Sequence, residues 1–358
     1  MKNKKIIFII SELNYGGTQK TVIKLIENLI KDNFFIDIIT FEKTKKKFFK
    51  NKKINYVPLN LFTKSKNKLF GILNNINRVF LIRKILKKKQ ESIVLCFLPS
   101  TNIISLIANL FLKNKIIISE RNDTKNQPIG YIWAVLRIIF YRFASVVVCN
   151  SKQSFSYLNT FVPKKKLKYI PNYIDIKKNL RTYPKKIILS IGRMHLQKGF
   201  EILINGFNKS WACKYGWKLV LIGNGPEKKN LFKLVNKLNL RKYVKILNFT
   251  EPTKWYKSCG IFALLSRYEG MPNVVLEASS FKLPIIVSKG TGGALDFIIN
   301  NKTGLVTKDN SANEASKKIN LLLENKSLRK KLGINAFKKI KPITDYEKIY
   351  SYWKEIIL

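Results

Sequence analysis

Short apolar runs rich in isoleucine and valine alternate with segments of helical periodicity along the whole sequence. Typical runs are KIIFII, SIVLCF and KIIISE in the first half and KIILSIG, KLVLIG and GIFALL in the second. Strands that are apolar on both faces and are joined by helices form parallel sheets with helices on both sides. The pattern therefore predicts an α/β fold with two doubly wound, Rossmann-like domains, of seven strands and six strands.

The break between the two domains is predicted in PNYIDIKKNLRTYPKK, residues 171–186, where two prolines and a cluster of charge interrupt the strands. We expect an N-terminal domain over residues 1–172 and a C-terminal domain over residues 173–343, facing each other across a cleft. A final helix over residues 344–358 is expected to fold back onto the first domain. Ligands of such folds bind at the carboxyl ends of the strands, so the loops there are the candidate sites.

The chain is strongly basic, with 68 Lys and Arg against 21 Asp and Glu and a formal net charge of +47. One explanation is compositional, since Lys, Asn and Ile are abundant in proteins of AT-rich genomes. The other explanation is that the chain binds an anionic partner. The candidates are a membrane surface, a phosphorylated substrate and a nucleic acid. No nucleic-acid recognition motif accompanies the charge, so nucleic acid is the least favoured of these partners.

Cysteine usage and the absence of targeting segments indicate a cytoplasmic protein. Cys96, Cys149, Cys213 and Cys259 stand far apart without a CxxC pair, which is typical of reduced thiols. The apolar run near the N-terminus stops at Ser11 and is predicted to be a strand and not a signal peptide.

A transmembrane helix is not expected, because no stretch of 18 uncharged apolar residues occurs. Residues 68–89, KLFGILNNINRVFLIRKILKKK, are interpreted as a basic amphipathic helix. Such a helix either rests on anionic lipid at the inner face of the membrane or packs on its domain with lysines outward.

Two cations follow the first strand of the second domain in LSIGRMHLQKGF. Arg193 and Lys198 follow Gly192. The planar guanidinium of Arg193 and the compact ammonium of Lys198 are suited to bind a diphosphate, or both side chains are solvated surface cations. His195 is the only histidine of the chain, so a two-histidine metal site is excluded. No Asp-x-Asp pair occurs, and no metal or other cofactor is expected.

Glycine pairs follow two further strands. Gly16 and Gly17 precede a helix in the first domain, and Gly223, Asn224 and Gly225 follow KLVLIG with Pro226 placed in the next helical turn. Such glycines either let a ligand approach the backbone or serve turn geometry alone.

The stretch SRYEGMPNVVLEASS carries two glutamates around a predicted helix start. Gly270 and the amides of Met271, Pro272, Asn273 and Val274 form a segment where helix-start N–H groups bind an anion, with Asn273 as candidate N-cap. Glu277, one turn later, and Glu269, before the helix, are then placed to accept hydrogen bonds from hydroxyls on either side of that anion. The alternative is that both carboxylates are ordinary surface groups.

Together, the glycine pair 16–17 and the segments GRMHLQKG, GNGP and EGMPNVVLE resemble the retaining glycosyltransferases of family 4, which have the GT-B fold. The resemblance spans nearly the whole chain in the same motif order. It implies a nucleotide-sugar donor, usually a UDP-sugar, bound mainly by the second domain and transferred to a saccharide acceptor without a metal ion.

The resemblance also implies roles for individual residues. Arg193 and Lys198 stabilise the leaving diphosphate, Glu277 binds the ribose, and Glu269 orients the sugar together with the amides of 270–274. Leu247 and Asn248 border the base, and the glycines at 16, 17, 192, 223 and 225 and Asn224 line the donor. The acceptor is expected to attack from the face of the leaving group, with a phosphate oxygen receiving its proton.

The segment IISERNDT, residues 117–124, is similar to segments of bacterial transferases that build surface polysaccharides or lipid-linked oligosaccharides. That likeness assigns Arg121 and Asn122 to the acceptor side, and we add Asn150 and Ser151 after the strand SVVVC. A sugar-nucleotide epimerase of the same fold and a membrane- or nucleic-acid-binding protein without catalysis are the alternatives.

Overall fold

The computed structural model describes residues 5–13, 16–43, 51–61, 68–174, 176 and 184–358. Contacts divide the chain into one unit of Met1–Ile170 with Tyr350–Leu358 and a second unit of Pro171–Ile349. Within the segment 171–186, where the sequence predicts the domain break, residues 175 and 177–183 lie outside the described residues.

The first unit contains a parallel sheet whose strands are separated by helices. Its strands are β1 Lys5–Ile10, β2 Phe35–Thr40, β3 Ile54–Pro58, β4 Ile93–Phe97, β5 Lys115–Glu120, β6 Val146–Cys149 and β7 Leu167–Tyr169. Its helices are α1 Gly17–Lys31, α2 Lys68–Lys88, α3 Pro99–Ala108, α4 Tyr131–Phe140 and α5 Lys152–Leu158. The strand order is β3-β2-β1-β4-β5-β6-β7, which is a Rossmann-like order.

The second unit repeats this architecture. Its strands are β8 Ile187–Ile191, β9 Lys218–Ile222, β10 Val244–Leu247, β11 Ile261–Leu264, β12 Ile285–Ser288 and β13 Leu305–Thr307. Its helices are α6 Phe200–Lys209, α7 Lys228–Lys237, α8 Thr253–Ser258, α9 Asn273–Ser280, α10 Ala312–Glu324 and α11 Lys326–Ile340. The parallel strands follow the order β10-β9-β8-β11-β12-β13.

The predicted fold class is confirmed, because both sheets are parallel and consist of the apolar runs read from the sequence. Burial explains the result, since β1 buries five consecutive residues from Ile6 to Ile10 and β11 buries all four of its residues. Helices on both faces of each sheet remove these strands from water.

The last helix, α12, covers Tyr346–Ile357, and its residues from Tyr350 onwards belong to the first unit. The Trp353 ring lies 6.1 Å from the ring of Phe97 at the end of β4. Lys354 Nζ lies 2.8 Å from Oδ2 of Asp32, which follows α1. Aromatic packing and an ion pair therefore hold the end of the chain on the first sheet's unit.

The amphipathic pattern predicted for residues 68–89 is wrong, although the helix itself forms. Ile82 and Leu86 of α2 are buried, whereas Phe70, Ile76 and Phe80 are exposed. Large apolar side chains therefore occupy both faces, and the lysines share the outer face with some of them. Within the described ranges, no helix is both long and apolar enough to cross a bilayer.

Candidate active site

The loop after β8 is a short structured turn. A 3-10 turn over Leu196–Lys198 begins after His195, whose Nδ1 accepts a hydrogen bond from the Gln197 amide at 3.2 Å. His195 is therefore a cap of this turn, and this structural role explains its position. Gly199 follows in the left-handed region, with φ of 62°, and lets α6 start immediately.

Lys198 and Glu269 form an ion pair between the loops that follow the adjacent strands β8 and β11. Lys198 Nζ lies 2.5 Å from Oε1 of Glu269, and Ser266 Oγ donates to the same oxygen at 2.8 Å. The side chains of Lys198 and Glu269 are only 17% and 9% exposed. Partial burial strengthens the electrostatic attraction between these groups relative to a surface pair.

Further hydrogen bonds hold the two loops together. Gln197 Nε2 donates to the Tyr268 carbonyl at 2.9 Å, and the Arg267 amide donates to the Gln197 carbonyl at 2.7 Å. The Arg267 guanidinium also bonds the Leu196 carbonyl and pairs with Glu201. The position of Lys198 relative to Glu269 is thus fixed by backbone contacts as well as by the ion pair.

Arg193 differs from Lys198 in its environment. Its side chain is exposed, and no hydrogen bond or ion pair of its guanidinium is found among the described residues. The neighbouring Met194 is fully buried, and its amide donates to the Asn224 carbonyl at 2.9 Å. The loop therefore anchors itself through Met194 and presents Arg193 outward.

The turn after β9 packs directly against the loop after β8. A Cβ atom at Gly223 would lie 1.9 Å from the Gly192 carbonyl oxygen, so only glycine fits there. Asn224 is exposed and Gly225 is half-buried. The placement of Pro226 in the first turn of the next helix is wrong, because α7 begins at Lys228 after a turn held by the Glu227 amide and the Met194 carbonyl.

The start of α9 lies directly after Gly270, Met271 and Pro272, all of which are buried. The interpretation of Asn273 as N-cap is wrong, because Pro272 precedes the helix and Asn273 is its first residue. Its Oδ1 accepts a hydrogen bond from Nδ2 of Asn172 at 2.6 Å instead of capping a helix amide. The first amides of the helix, including that of Val274, are therefore not capped by a side chain within the described part of the chain.

Asn172 also bonds the backbone of this loop. Its Nδ2 donates to the Met271 carbonyl at 2.9 Å, and its own amide lies 3.3 Å from the Met271 sulfur. The side chain is buried. The side-chain amide of Asn172 thus holds both the Met271 carbonyl and the Asn273 side chain at the start of α9.

Glu277 lies one turn into α9, on the face of Asn273. Tyr256 of α8 donates its hydroxyl to Oε2 of Glu277 at 3.0 Å. Burial, followed by the charge of Glu277, raises the pKa of Tyr256 well above its usual range. The phenol therefore stays protonated and acts as a fixed donor that orients the carboxylate.

A glycine-rich segment after β12 supports the Glu269 loop. Gly292 has φ of 51°, and a Cβ atom there would lie 1.8 Å from the Glu269 carbonyl oxygen. The next residue, Gly293, donates its amide to the Gly270 carbonyl at 2.5 Å. Close approach of the two backbones therefore requires glycine at position 292.

The remaining predicted donor residues lie at other strand ends. Half-buried Leu247 is the last residue of β10 and exposed Asn248 follows it, and Lys228 donates a hydrogen bond to Asn248 Oδ1. In the first unit, Gly16 precedes α1 with extended φ of −177° and Gly17 is the first residue of that helix. Their contribution to donor binding stays a prediction.

The predicted acceptor residues follow β5 and β6, which are neighbours in the first sheet. Ser151 is the N-cap of α5 and accepts from the Ser154 amide, and Asn150 is fully buried. Arg121 is buried as well: Nη1 donates to the Ile170 carbonyl at 3.3 Å and the guanidinium lies over the Trp353 ring. Burial lowers the pKa of Arg121 to about 10. Asn122 is half-buried and is the most accessible of the four.

Sequence reasoning missed the supporting residues Ser266, Tyr256, Asn172 and Gly292. Ser266 has a local signal, because it stands three residues before Glu269. The glycine-rich segment SKGTGG after a strand is a comparable signal for Gly292. Tyr256 and Asn172 have no local signal, because their partners are 21 and 99 or 101 residues away.

Comparison with protein families explains the two-unit architecture. Residues 15–178 match the model described as Glycosyltransferase Family 4, and residues 173–339 match the model described as Glycosyl transferases group 1. The chain is therefore a glycosyltransferase, with a family 4 domain followed by a group 1 domain. Two consecutive matches thus account for nearly all of this glycosyltransferase.

Two curated relatives come from Campylobacter jejuni, and both are 28% identical to this glycosyltransferase. One, GalNAc-alpha-(1->4)-GalNAc-alpha-(1->3)-diNAcBac-PP-undecaprenol alpha-1,4-N-acetyl-D-galactosaminyltransferase, aligns over 99% of this chain and 98% of its own. The other, an N-acetylgalactosamine-N,N'-diacetylbacillosaminyl-diphospho-undecaprenol 4-alpha-N-acetylgalactosaminyltransferase, aligns over 95% of this chain and 97% of its own.

Solved structures share the fold of this glycosyltransferase at low sequence identity. HepE of Anabaena, in complex with UDP and glucose, has a TM-score of 0.81 with 19% identity and covers 98% of both chains. Sucrose-phosphate synthase of Thermosynechococcus elongatus has a TM-score of 0.85 with 18% identity and covers 99% of this chain and 98% of its own. At this identity the likeness concerns the fold alone.

Proposed function

We propose that this glycosyltransferase moves a hexose or an N-acetylhexosamine from a UDP-sugar to a hydroxyl of a lipid-linked saccharide, with retention at the anomeric carbon. The observation that carries the proposal is the contact of 2.5 Å between Lys198 Nζ and Glu269 Oε1, at the ends of adjacent strands and directly before α9. The contact supports the proposal because it joins a cation to a carboxylate that stands shortly before the start of α9.

The diphosphate of the donor is proposed to bind Lys198, Arg193 and the first amides of α9. A lysine ammonium has three N–H donors, and the single bond to Glu269 leaves two for phosphate oxygens. Arg193 adds a planar guanidinium that has no hydrogen-bond partner among the described residues. Negative charge near the start of α9 is further favoured by the helix dipole.

The sugar of the donor is proposed to bind Glu269. Both partners found for its carboxylate, Lys198 and Ser266, contact Oε1, and no partner of Oε2 is found within the described ranges. Oε2 is then available to accept from a sugar hydroxyl while Oε1 holds the lysine. Glu277, oriented by Tyr256, is proposed to accept from the ribose hydroxyls.

Bond cleavage at the anomeric carbon leaves negative charge on the departing diphosphate. Preorganised cations and amides stabilise that charge as it develops, and removing one such group costs about 3–4 kcal/mol in related electrostatic sites. We propose that the acceptor hydroxyl attacks from the same face and passes its proton to a phosphate oxygen. Lys198 and Arg193 would carry the charge stabilisation without a metal ion.

The acceptor proposal rests on the two Campylobacter jejuni relatives, whose names give diphospho-undecaprenol-linked saccharides as acceptors. By that analogy this chain uses a saccharide on a lipid diphosphate in surface-polysaccharide or glycoconjugate synthesis. Asn122 is the proposed acceptor contact of the first unit, because it is more accessible than Arg121 or Asn150.

A release assay tests the proposed function. The purified chain is incubated with UDP- and GDP-sugars, with and without lipid-diphosphate saccharides, and both the nucleoside diphosphate and the glycosylated lipid are measured. We expect acceptor-dependent release of UDP, an α-linked product by NMR, and unchanged turnover in the presence of EDTA. Release of free UDP and sugar without a lipid product would contradict transfer and would favour an epimerase.

A further inference from the structure

Helix α4 has its charge inside and its apolar residues outside. Arg137, the only charged residue of the helix, is 2% exposed, whereas Tyr131 and Ile132 are 85% and 66% exposed. Val135, Ile138 and Ile139 are also exposed. An ordinary surface helix has the opposite arrangement.

The inward direction of Arg137 has a structural explanation. Its Nη1 donates to the Thr124 carbonyl at 2.5 Å, and its Nε lies 4.0 Å from Oε1 of the buried Glu120. The pairing compensates two charges inside the unit. It does not explain the row of aliphatic side chains on the outer face, which no described element covers.

The outer face of α2 is apolar in its first turns and cationic in its last. Phe70, Leu73 and Phe80 are at least half exposed and project in similar directions at 100° per residue. Lys84 and Lys87 continue that face toward the end of the helix and are exposed. The outer face of α2 therefore combines exposed apolar side chains, which are suited to insertion into a lipid surface, with a cationic end.

The two helices lie on the same layer of the first unit, since α3 packs against both α2 and α4. We call the exposed apolar residues of α2 and α4 the α2–α4 surface. From residue 68 to residue 170 the sequence has eighteen basic residues and three acidic ones, and two of the acidic ones, Glu120 and Asp123, are buried. The surroundings of the α2–α4 surface are accordingly strongly positive.

We propose that the α2–α4 surface docks on the surface of an anionic phospholipid bilayer. Phe, Ile and Tyr side chains enter the headgroup boundary, and lysines at the end of α2 bind lipid phosphates. A second copy of the chain is a poor occupant, because two surfaces of the same strong positive charge repel each other. The inference concerns a surface outside the donor site and is independent of the donor and acceptor proposed above.

Vesicle co-sedimentation of the full chain tests the proposal. The variant F80S/I132S removes one exposed apolar side chain from each helix. We expect the unaltered chain to bind vesicles of phosphatidylcholine with phosphatidylglycerol better than phosphatidylcholine alone, and F80S/I132S to bind the mixed vesicles at least about tenfold more weakly. The variant K84Q/K87Q is expected to lose most of the preference for phosphatidylglycerol.

The matched control is F232S/W211S, which removes two half-exposed aromatic residues from the second unit. It is expected to bind like the unaltered chain. Equal binding by F80S/I132S and the control would overturn the proposal and leave bulk charge as the cause. A dimer of the unaltered chain that F80S/I132S converts to monomer, with lipid binding unchanged, would also overturn it. If F80S/I132S folds poorly, Y131S alters a residue that is 85% exposed and keeps the test valid.

Discussion

Lys198 Nζ lies 2.5 Å from Oε1 of Glu269, although the two residues are 71 positions apart in the sequence. The pair joins the ends of β8 and β11, and Ser266 Oγ completes it from the same loop. A cation beside a carboxylate at neighbouring strand ends is the feature from which the proposed donor chemistry follows.

Replacing either member of this pair is expected to slow glycosyl transfer. Lys198→Ala removes charge stabilisation of the diphosphate, and Glu269→Ala removes the proposed sugar contact and the partner of Lys198. We expect each variant to remain folded and to lose at least about tenfold in turnover. The control is Lys218→Ala. Lys218 is exposed and begins β9, at the edge of the sheet opposite to the strand ends that carry the site, so this variant should keep full activity. Full turnover in both site variants would remove the basis of the donor proposal.

Tyr256→Phe is expected to affect donor binding more than acceptor binding. The hydroxyl that orients Glu277 is lost, while the ring keeps its packing against Phe281 at 5.4 Å. A hydrogen bond of about 1 kcal/mol corresponds to roughly a fivefold increase in donor KM. The acceptor KM should stay constant, and Tyr243→Phe on a half-buried tyrosine of the same unit should change neither value. An unchanged donor KM in Tyr256→Phe would argue against the role of Glu277.

Asn172→Asp is expected to disturb the start of α9. The amide of Asn172 donates to two acceptors, the Met271 carbonyl and Asn273 Oδ1, and a carboxylate has no proton for either. The cost is about 1–3 kcal/mol in the free energy of unfolding, together with a higher donor KM. Asn325→Asp is the matched control, because Oδ1 of Asn325 only accepts from the Leu328 amide. Similar urea unfolding curves for the two variants would contradict the prediction.

Gly292→Ala and Gly216→Ala separate backbone strain from close approach. Both residues have positive φ, 51° and 69°, so each substitution carries a strain of about 1–2 kcal/mol. A Cβ atom at Gly216 meets nothing within 4 Å, whereas at Gly292 it meets the Glu269 carbonyl oxygen. We expect Gly292→Ala to cost about 1–3 kcal/mol more in chemical unfolding and to reduce turnover as well. Equal stability and activity of the two variants would show that the Glu269 loop moves away from the added methyl group without a loss of stability.

The attachment of α12 is expected to weaken in acid. The hydrogen bond from Lys354, and after it that from Tyr350, lowers the pKa of Asp32 below its usual value of 3.8. Because the folded pKa is depressed, the stabilisation is present above about pH 4 and is lost as the pH falls through the folded pKa. Asp32→Asn should therefore cost about 0.5–1 kcal/mol at pH 7 and progressively less as the pH falls below about 4, measured by urea unfolding. Glu27→Gln, in an exposed pair at 4.0 Å, is the control and should show a smaller change. A deficit of Asp32→Asn that does not shrink in acid would contradict the ion-pair explanation.

Much of the candidate site could be predicted because loops after parallel strands gather at one edge of a sheet. Lys198 and Glu269 were predicted from two such loops, and they meet because β8 and β11 are neighbours. Details within one loop were harder. Asn273 was interpreted as a cap, but the distant Asn172 engages its side chain, and local patterns carry no information about such a partner.

The sequence by itself determined the fold class and the strands, because runs of isoleucine and valine are stable only where both faces of a strand are buried. It also determined which loops hold charged and glycine residues. Only the tertiary structure decided which side chains pair across those loops, as Tyr256 does with Glu277, and which faces of α2 and α4 remain apolar and exposed. The reason is that burial follows from local composition, whereas pairing and helix orientation depend on neighbours that are distant in the sequence.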